Sequence, residues 1–354
     1  MIRNYQFVYL FFVRSLIRFL TPGSYMNVIF FGIKEVEFPI FEKVKEKYKD
    51  LKLTAVTEVI SKEHIHLVDG MDCVVVREND VVNREILELL KTKGINYVFT
   101  RTAGFDHMDL AAGHELGIKM ARVPSYSPTA IAELAFSYAH QLSRRSLHFG
   151  YKAHKKDFTV DDFGFAKELR SSTVLIMGTG KIGYESAKMF KSFGAKVLGY
   201  DLMPNKALTD VIEYVSLDEG LKQADIVTLH MPYIKGQNDK LVNAELLSKM
   251  KDGAILVNTS RGQIQDEKAI LDAVKSGKLA GAAIDVFNNE KAYLFKTFDK
   301  IEDPVIAELL DLWPRVIVSP HIGWYTQEAA TNMLEISLDN LKEYLETGDC
   351  KNKL

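Results

Sequence analysis

The stretch VLIMGTGKIGYESAKMF, Val174–Phe190, narrows the possible folds more than any other part of the chain. It holds Gly178-x-Gly180-x-x-Gly183, a spacing that on its own is weak. Here it follows an apolar strand, Thr173–Met177, and opens an amphipathic helix. A second strand, Lys196–Tyr200, comes next and ends at Asp201, about the 20-residue spacing of a dinucleotide fingerprint. Each position has a physical task. Gly178 allows a tight turn, Gly180 lets the backbone approach a pyrophosphate, and Gly183 lets the helix lie close on the sheet. The free N–H groups at the start of the helix hold phosphates. Asp201 would accept hydrogen bonds from the adenosine ribose and repel a 2′-phosphate, which predicts NAD over NADP.

The rest of the chain supplies the matching architecture. Apolar runs at Asn27–Phe31, Leu53–Val56, Cys73–Val76, Tyr97–Thr100 and Ile118–Ala121 alternate with helical patterns at Phe38–Tyr48, Arg84–Lys93 and Met108–Leu116. Gly94 and Gly117 close two of these helices. Ser127 and Pro128 cap a longer apolar helix expected to run to about Arg145. Alternation then resumes with strands at Thr173–Met177, Lys196–Tyr200, Ile226–His230, Ala254–Asn258, Ala282–Val286 and Val316–Ser319. Ser216 and Glu219 form a capping box before Leu217–Gln223, and an amphipathic helix spans Thr326–Leu345. Strand–helix alternation of this kind predicts α/β structure, with parallel sheets covered on both faces. Two doubly wound domains are expected, with short hinges near Pro124–Ser127 and Pro320–Ile322 and an interdomain cleft as the ligand site.

Composition excludes several other classes. The net charge is -2 with 26% charged residues, which argues against nucleic-acid binding. The two cysteines, Cys73 and Cys350, are far apart and suggest no disulfide framework, so a reducing cytoplasm is expected. Residues 1–25 carry Arg3, Arg14 and Arg18 among many aromatics. Their apolar run is too short for a membrane span and lacks a signal-peptide cleavage site, so they are read as an extension outside the fold. No HExxH or CxxC pattern predicts a metal. His64 and His66 have no third ligand in view, and His230 is read as structural.

Three strand ends carry further chemistry. Arg261 follows Ala254–Asn258, and open parallel sheets bind ligands beyond the carboxyl ends of their strands. Alone it would pass for a surface arginine. Asp285 ends the next strand, with Glu290 a few residues on; alone, they would pass for a turn cap and a solvated acid. His321 ends the last strand, in SPHIGWYT, where a lone histidine is more often structural. Together beside a nicotinamide the three loops make chemical sense. Hydride exchange between a nicotinamide and an alcohol or ketone needs a proton partner, and histidine suits it near neutral pH. A neighbouring carboxylate favours its protonated form, and an arginine fixes a substrate carboxylate and polarises the carbonyl.

From Met26 onward the chain resembles the D-2-hydroxyacid dehydrogenase family, in its D-lactate dehydrogenase-like branch. The stretches that carry the resemblance are TRTAGFDHMD, VPSYSPTAIAE, MGTGKIG, LHMP, MKDGAILVNTSRG, AAIDVF and SPHIGWYT. The resemblance implies a flavodoxin-like substrate domain over 26–125 plus 322–354, and a Rossmann NAD domain over 126–321. It implies that Arg261 holds the 2-oxo acid carboxylate, that His321 is general acid and base, and that Glu290 pairs with His321. Glu290 is assigned by its distance from Asp285, because VFNNE departs from the aromatic-Glu-x pattern often found there. Tyr126 and the backbone around Ala103 and Gly104 would add substrate contacts. Lys181, Ile182, Asp201, Met231, Pro232, Thr259, Ser260 and Asp285 fall where the family contacts NAD.

For the substrate, Arg77 ends a strand in DCVVVREND. It could pair with a second substrate carboxylate, which favours 2-oxoglutarate and (R)-2-hydroxyglutarate. Several motifs also resemble the (R)-2-hydroxyglutarate dehydrogenases. Its bland alternative is pairing with Glu78 or Asp80. D-lactate or a branched or aromatic D-2-hydroxy acid is the other substrate reading. A phosphoglycerate or formate dehydrogenase fits the motifs less well. A non-enzymatic alternative is an NAD-sensing module like the C-terminal-binding-protein corepressors, which keep a similar Arg-Glu-His set. The helix after Ser127 is apolar enough to pack against a second copy, and the resemblance implies a homodimer formed that way.

Overall fold

The computed structural model of the chain describes residues 25–354, and the expected extension lies outside the described residues apart from Tyr25. Two compact units form, one from residues 25–126 with Gln327–Leu354 and one from Ser127–Thr326. In the first, strands β1 (Met26–Phe30), β2 (Leu51–Ala55), β3 (Cys73–Val76), β4 (Tyr97–Thr100) and β5 (Lys119–Ala121) make a parallel sheet in the order β2-β1-β3-β4-β5. Helices α1 (Phe38–Lys47), α2 (Arg84–Thr92) and α3 (Leu110–Glu115) connect the strands. Side chains alternate across a strand, so the apolar runs feed two cores. Val28, Phe30, Cys73, Val75 and Phe99 share one core; Ile29, Phe31, Val74, Val76 and Val98 share the other with Ile86, Leu87 and Leu90 of α2.

The second unit opens with α4 (Pro128–Ser143) and α5 (Ser146–His154). Its parallel sheet contains β6 (Thr173–Met177), β7 (Lys196–Tyr200), β8 (Glu213–Tyr214), β9 (Ile226–Leu229), β10 (Ala254–Asn258), β11 (Leu279–Ile284) and β12 (Val316–Val318). The order is β12-β11-β10-β9-β6-β7-β8, so the winding reverses between β6 and β9, where open α/β sheets take their ligands. The covering helices are α6 (Lys181–Ser192), α7 (Leu217–Gln223), α8 (Ala244–Lys249), α9 (Glu267–Lys275) and α10 (Pro304–Asp311). The chain then returns to the first unit with α11 (Gln327–Thr347), whose Leu334, Leu338, Leu341 and Tyr344 complete the Phe30–Phe99 core.

Three local features differ from the sequence reading. The helix expected from Ser127 to Arg145 stops at Ser143, because Arg145 takes a left-handed backbone, φ 54°, which a right-handed helix cannot contain. The strand expected over Ala282–Val286 runs from Leu279 to Ile284 and releases Asp285 beyond the sheet edge. The division between units falls after Thr326, so Ile322–Thr326 belong to the second unit. Ile322 and Gly323 are tied there by hydrogen bonds to Asp285.

Candidate active site

At the switch point, Gly178 leaves β6 with φ 91°, and a Cβ there would stand 2.7 Å from the Met231 nitrogen. A Cβ on Gly183 would stand 1.9 Å from the Gly178 carbonyl oxygen. The first and third glycines are therefore required by backbone crossing at close range. A Cβ on Gly180 would meet no atom within 4 Å, so the middle glycine leaves the start of α6, with Lys181 and Ile182, open to a ligand. Asp201 sits one strand over and is turned toward this loop. Its carboxylate accepts from the Thr179 N–H (2.7 Å), the Thr179 hydroxyl (3.1 Å) and the Met203 N–H (2.9 Å).

Met231 and Pro232 leave β9, and Thr259 and Ser260 leave β10, on the same edge of the sheet. Thr259 is 6% exposed, and its hydroxyl has no hydrogen-bond partner among the described residues. A buried polar atom of this kind is costly unless a ligand satisfies it. The open glycine loop, the adjacent acid and the orphaned hydroxyl together fit a dinucleotide lying along the edge from β7 to β10. His230 ends β9 in full burial, which pushes its pKa down to about 3 and keeps the ring neutral.

Arg261, Glu290 and His321 leave β10, β11 and β12, three neighbouring parallel strands. The Arg261 turn is built by Asn258, whose carboxamide oxygen accepts from the Ser260 N–H (2.9 Å) and hydroxyl (2.8 Å). The Asn258 amide donates to the Arg261 carbonyl (3.1 Å) and to the Gln265 side chain (2.8 Å). Gln265 in turn donates to the Val286 carbonyl (2.9 Å). Gly262 brings this turn against the next loop, where a Cβ would stand 2.3 Å from the Phe287 carbonyl carbon. Glu267 holds the loop from its other side, accepting from the Asn288 N–H (2.8 Å) and side-chain amide (2.7 Å).

His321 has a left-handed backbone, φ 55°, which costs a non-glycine residue about 1–3 kcal/mol and persists only when its surroundings enforce it. Asp285 enforces it. Its carboxylate is fully buried and accepts from the Ser319 hydroxyl (2.6 Å), the Ile322 N–H (2.8 Å) and the Gly323 N–H (2.9 Å), while its carbonyl accepts the His321 N–H (2.9 Å). Burial raises the Asp285 pKa, and these bonds and the His321 charge oppose the rise. Asp285, expected to touch the cofactor, is thus placed as the clamp of the histidine loop.

His321 Nδ1 lies 2.8 Å from Glu290 Oε1. Burial pulls the His321 pKa down, but the hydrogen bond and charge of Glu290 and the charge of Asp285 outweigh it and the opposing charge of Arg261, so the net shift is upward. A protonated imidazole held by a carboxylate, in the field of a guanidinium, can donate a proton to an oxygen whose neighbouring carboxylate the guanidinium binds.

On the first unit, Arg77 ends β3 and is 3% exposed. Its Nε lies 3.0 Å from both Glu78 oxygens, and its Nη1 lies 3.5 Å from Glu37. Glu37 also takes two bonds from the buried Arg101, at 2.6 and 3.1 Å. Asp80 accepts the Arg77 main-chain N–H at 2.6 Å, and burial pushes its pKa up to about 6. The guanidinium expected to meet a distal substrate carboxylate thus has carboxylates of its own chain beside it. The Ala103 carbonyl accepts from Arg122 (2.9 Å) and the Gly104 carbonyl from Thr102 (2.6 Å), so what these two residues offer an acidic ligand is backbone N–H. The Tyr126 carbonyl accepts from Asn332 of α11 (2.6 Å).

The scaffold residues Asn258, Gln265, Glu267 and Ser319 were not singled out from sequence. Their polar character beside buried apolar residues, in the runs LVNTS, GQIQDE and VSPH, is the local signal. Among the described residues, no group of three His, Cys, Asp or Glu could hold a metal ion, and no helix is long and apolar enough to cross a membrane.

Comparison with known proteins agrees with this geometry. Residues 136–323 match the family model of the D-isomer specific 2-hydroxyacid dehydrogenase, NAD binding domain. An aromatic 2-oxoacid reductase of Clostridium sporogenes is 37% identical, over 93% of this chain and 99% of its own length. A D-2-hydroxyacid dehydrogenase (NAD(+)) of Clostridioides difficile is 37% identical, over 93% of this chain and 100% of its own. The crystal structure of a D-lactate dehydrogenase from Treponema pallidum superimposes with a TM-score of 0.86 at 37% identity, covering 93% of this chain and 99% of that one. A family model spanning over half the residues, and relatives alike from end to end, show that the chain belongs to the D-isomer specific 2-hydroxyacid dehydrogenases and is an NAD-dependent oxidoreductase.

Proposed function

We propose that the chain interconverts D-2-hydroxy acids and 2-oxo acids with an uncharged side chain, of the pyruvate or arylpyruvate type, using Arg261, His321 and Glu290. The observation that carries this reading is the 2.8 Å contact between His321 and Glu290 on the strand edge that also carries Arg261. Arg261 forks onto the substrate carboxylate and polarises the adjacent ketone. The chemistry that NADH supplies when bound is a hydride for the carbonyl carbon. His321 Nε2 gives its proton to the carbonyl oxygen as negative charge develops there, and takes it back in oxidation. Glu290 keeps Nδ1 protonated and the ring oriented, so that Nε2 is the nitrogen that exchanges the proton. The glycine loop, Lys181, Ile182, Asp201, Met231, Pro232, Thr259 and Ser260 hold the dinucleotide. Pairing of two copies through α4 belongs to the same reading, with light scattering as its measure.

The uncharged side chain follows from Arg77, whose charge is answered by Glu78 and Glu37. The names of the similar proteins, an aromatic 2-oxoacid reductase and a D-lactate dehydrogenase, support it. The second reading, 2-oxoglutarate, rests on the position of Arg77 at the end of β3. NADH absorbance with pyruvate, phenylpyruvate and 2-oxoglutarate separates the two. The expected order places either monocarboxylate above 2-oxoglutarate in kcat/KM. Arg77→Leu keeps that ratio within about threefold while lowering Tm, because removing one partner of a buried ion pair costs about 3–5 kcal/mol. A wild-type preference for 2-oxoglutarate that collapses in Arg77→Leu would establish the dicarboxylate instead.

A further inference from the structure

The loop after β4 carries a chain of hydrogen bonds whose direction is fixed. Thr102 Oγ1 lies 2.6 Å from the Gly104 carbonyl oxygen and 2.6 Å from Thr100 Oγ1, and Thr100 Oγ1 lies 3.0 Å from His107 Nε2. A carbonyl only accepts, so Thr102 donates its one hydroxyl proton there. Thr102 must then accept from Thr100, and Thr100, its own proton committed, must accept from His107. The order is His107 Nε2–H to Thr100, Thr100 to Thr102, and Thr102 to the Gly104 carbonyl, which requires a proton on Nε2. Thr100 is fully buried, so bulk water offers its hydroxyl no other partner. The far end of the chain is anchored. The His107 carbonyl accepts from the Val82 N–H at 2.9 Å, and Val82 bridges Met108.

The neighbouring carbonyls are tied as well. The Thr102 carbonyl accepts from the Val123 N–H (3.1 Å) and the Ala103 carbonyl from Arg122 Nη1 (2.9 Å). Arg122 itself is held, with its guanidinium carbon 5.1 Å from the Phe105 ring centre and its carbonyl accepting from Asn340 of α11 at 2.9 Å. Each tied carbonyl shares a planar trans amide with the next N–H, so the Ala103, Gly104 and Phe105 N–H groups point away from those tethers. No described residue accepts from any of them. A bond accepted at the oxygen draws charge from the amide nitrogen and strengthens its N–H as a donor, and at Ala103 the bond is charge-assisted. The resemblance already implies Ala103 and Gly104 as substrate contacts; the residues behind them are the new element. We propose that His107, Thr100, Thr102 and Arg122 are positioning residues, which fix and polarise the 103–105 amides for the carboxylate of the 2-oxo acid. They act through the backbone and rest on the 2-oxo acid reading of the function.

Two measurements test it on the full chain with saturating NADH. The nitrogen NMR spectrum of isotope-labelled imidazoles, with His107 assigned through His107→Gln, shows Nε2 carrying a proton; this readout does not depend on turnover. Initial rates then use whichever of pyruvate and phenylpyruvate reacts faster. Thr102→Val raises the KM of the acid by about three- to tenfold, within the range that one neutral hydrogen bond spans. The kcat and the KM for NADH stay within about twofold of wild type, the pattern of lost substrate binding. Thr102→Ser, which keeps the hydroxyl, restores the wild-type KM. If the valine variant does not fold, Thr102→Ala replaces it, and Tm is measured for each. The proposal is overturned by an Nε2 without a proton, by a valine variant that melts lower but keeps its KM, by a loss shared equally between the acid and NADH, or by a serine variant no better than valine. Any of these beside an active wild type defeats this proposal alone, whereas a wild type inactive on every 2-oxo acid defeats the functional reading and this proposal together.

Discussion

Glu290→Gln isolates the charge that holds the proton on His321. Glutamine keeps the size of the side chain and an oxygen that can accept from Nδ1, and removes only the negative charge. Glu290 and His321 are 21% and 30% exposed, and the contact is 2.8 Å, so solvent screens it only in part. A hydrogen bond to a charged group is worth about 1.5–3 kcal/mol, against about 0.5–1.5 kcal/mol between neutral partners. The substitution therefore removes about 1–2 kcal/mol of preference for the protonated imidazole, a factor of roughly 5–30. The sign follows from the upward shift of His321. In wild type the acid form persists above the ordinary histidine range, and loss of the carboxylate lets the proton leave at lower pH. Reduction, which uses the protonated form, should lose roughly 5–30-fold in kcat/KM near pH 8 and little near pH 5.5, where an ordinary histidine is still protonated. Oxidation, which uses the neutral form, should extend to lower pH. Initial rates in both directions across this range, at constant ionic strength, measure both limbs. A pH-independent loss, or a profile that superimposes on wild type, would refute the role given to Glu290.

Two further substitutions test the scaffold. Asp201→Ser removes the acid beside the glycine loop, and the ratio of kcat/KM with NADPH to that with NADH should rise by about an order of magnitude or more as like-charge repulsion is lost; an unchanged ratio would mean Asp201 serves only Thr179. Gly262→Ala drives a Cβ to 2.3 Å from the Phe287 carbonyl carbon. Overpacking of this kind costs about 1–3 kcal/mol, so Tm should fall by roughly 2–12 °C for a unit of this size, and KM for the 2-oxo acid should rise as Arg261 shifts. Wild-type melting and KM would show that the two loops have room to part.

The sequence revealed those parts of the site that depend on neighbours in the chain. The glycine loop and Asp201 were readable because a turn, a helix start and the next strand end are local events. Arg261, Glu290 and His321 were readable because each follows an apolar run that marks a strand end. Partners set by the fold were not readable. Arg77 is paired in part by Glu37, from the turn before α1, a residue with no distinguishing local pattern. That Asp285 also serves Ser319, Ile322 and Gly323 is a relation visible only once β11 and β12 lie side by side. The end of α4 near Arg145 was readable to within two residues, but the helix that follows, α5, was not, since none of its residues is buried to mark an apolar face.

The first unit is assembled from two stretches of chain separated by the 200 residues of Ser127–Thr326. One face of its sheet, with Phe30, Val75 and Phe99, is finished by Leu334, Leu338, Leu341 and Tyr344. During synthesis at roughly 5–20 residues per second, that face would wait on the order of 10–40 s for its covering helix. The N-terminal strands thus leave the ribosome long before their last contacts exist, and in this interval the nascent chain is exposed to chaperones and to misassociation.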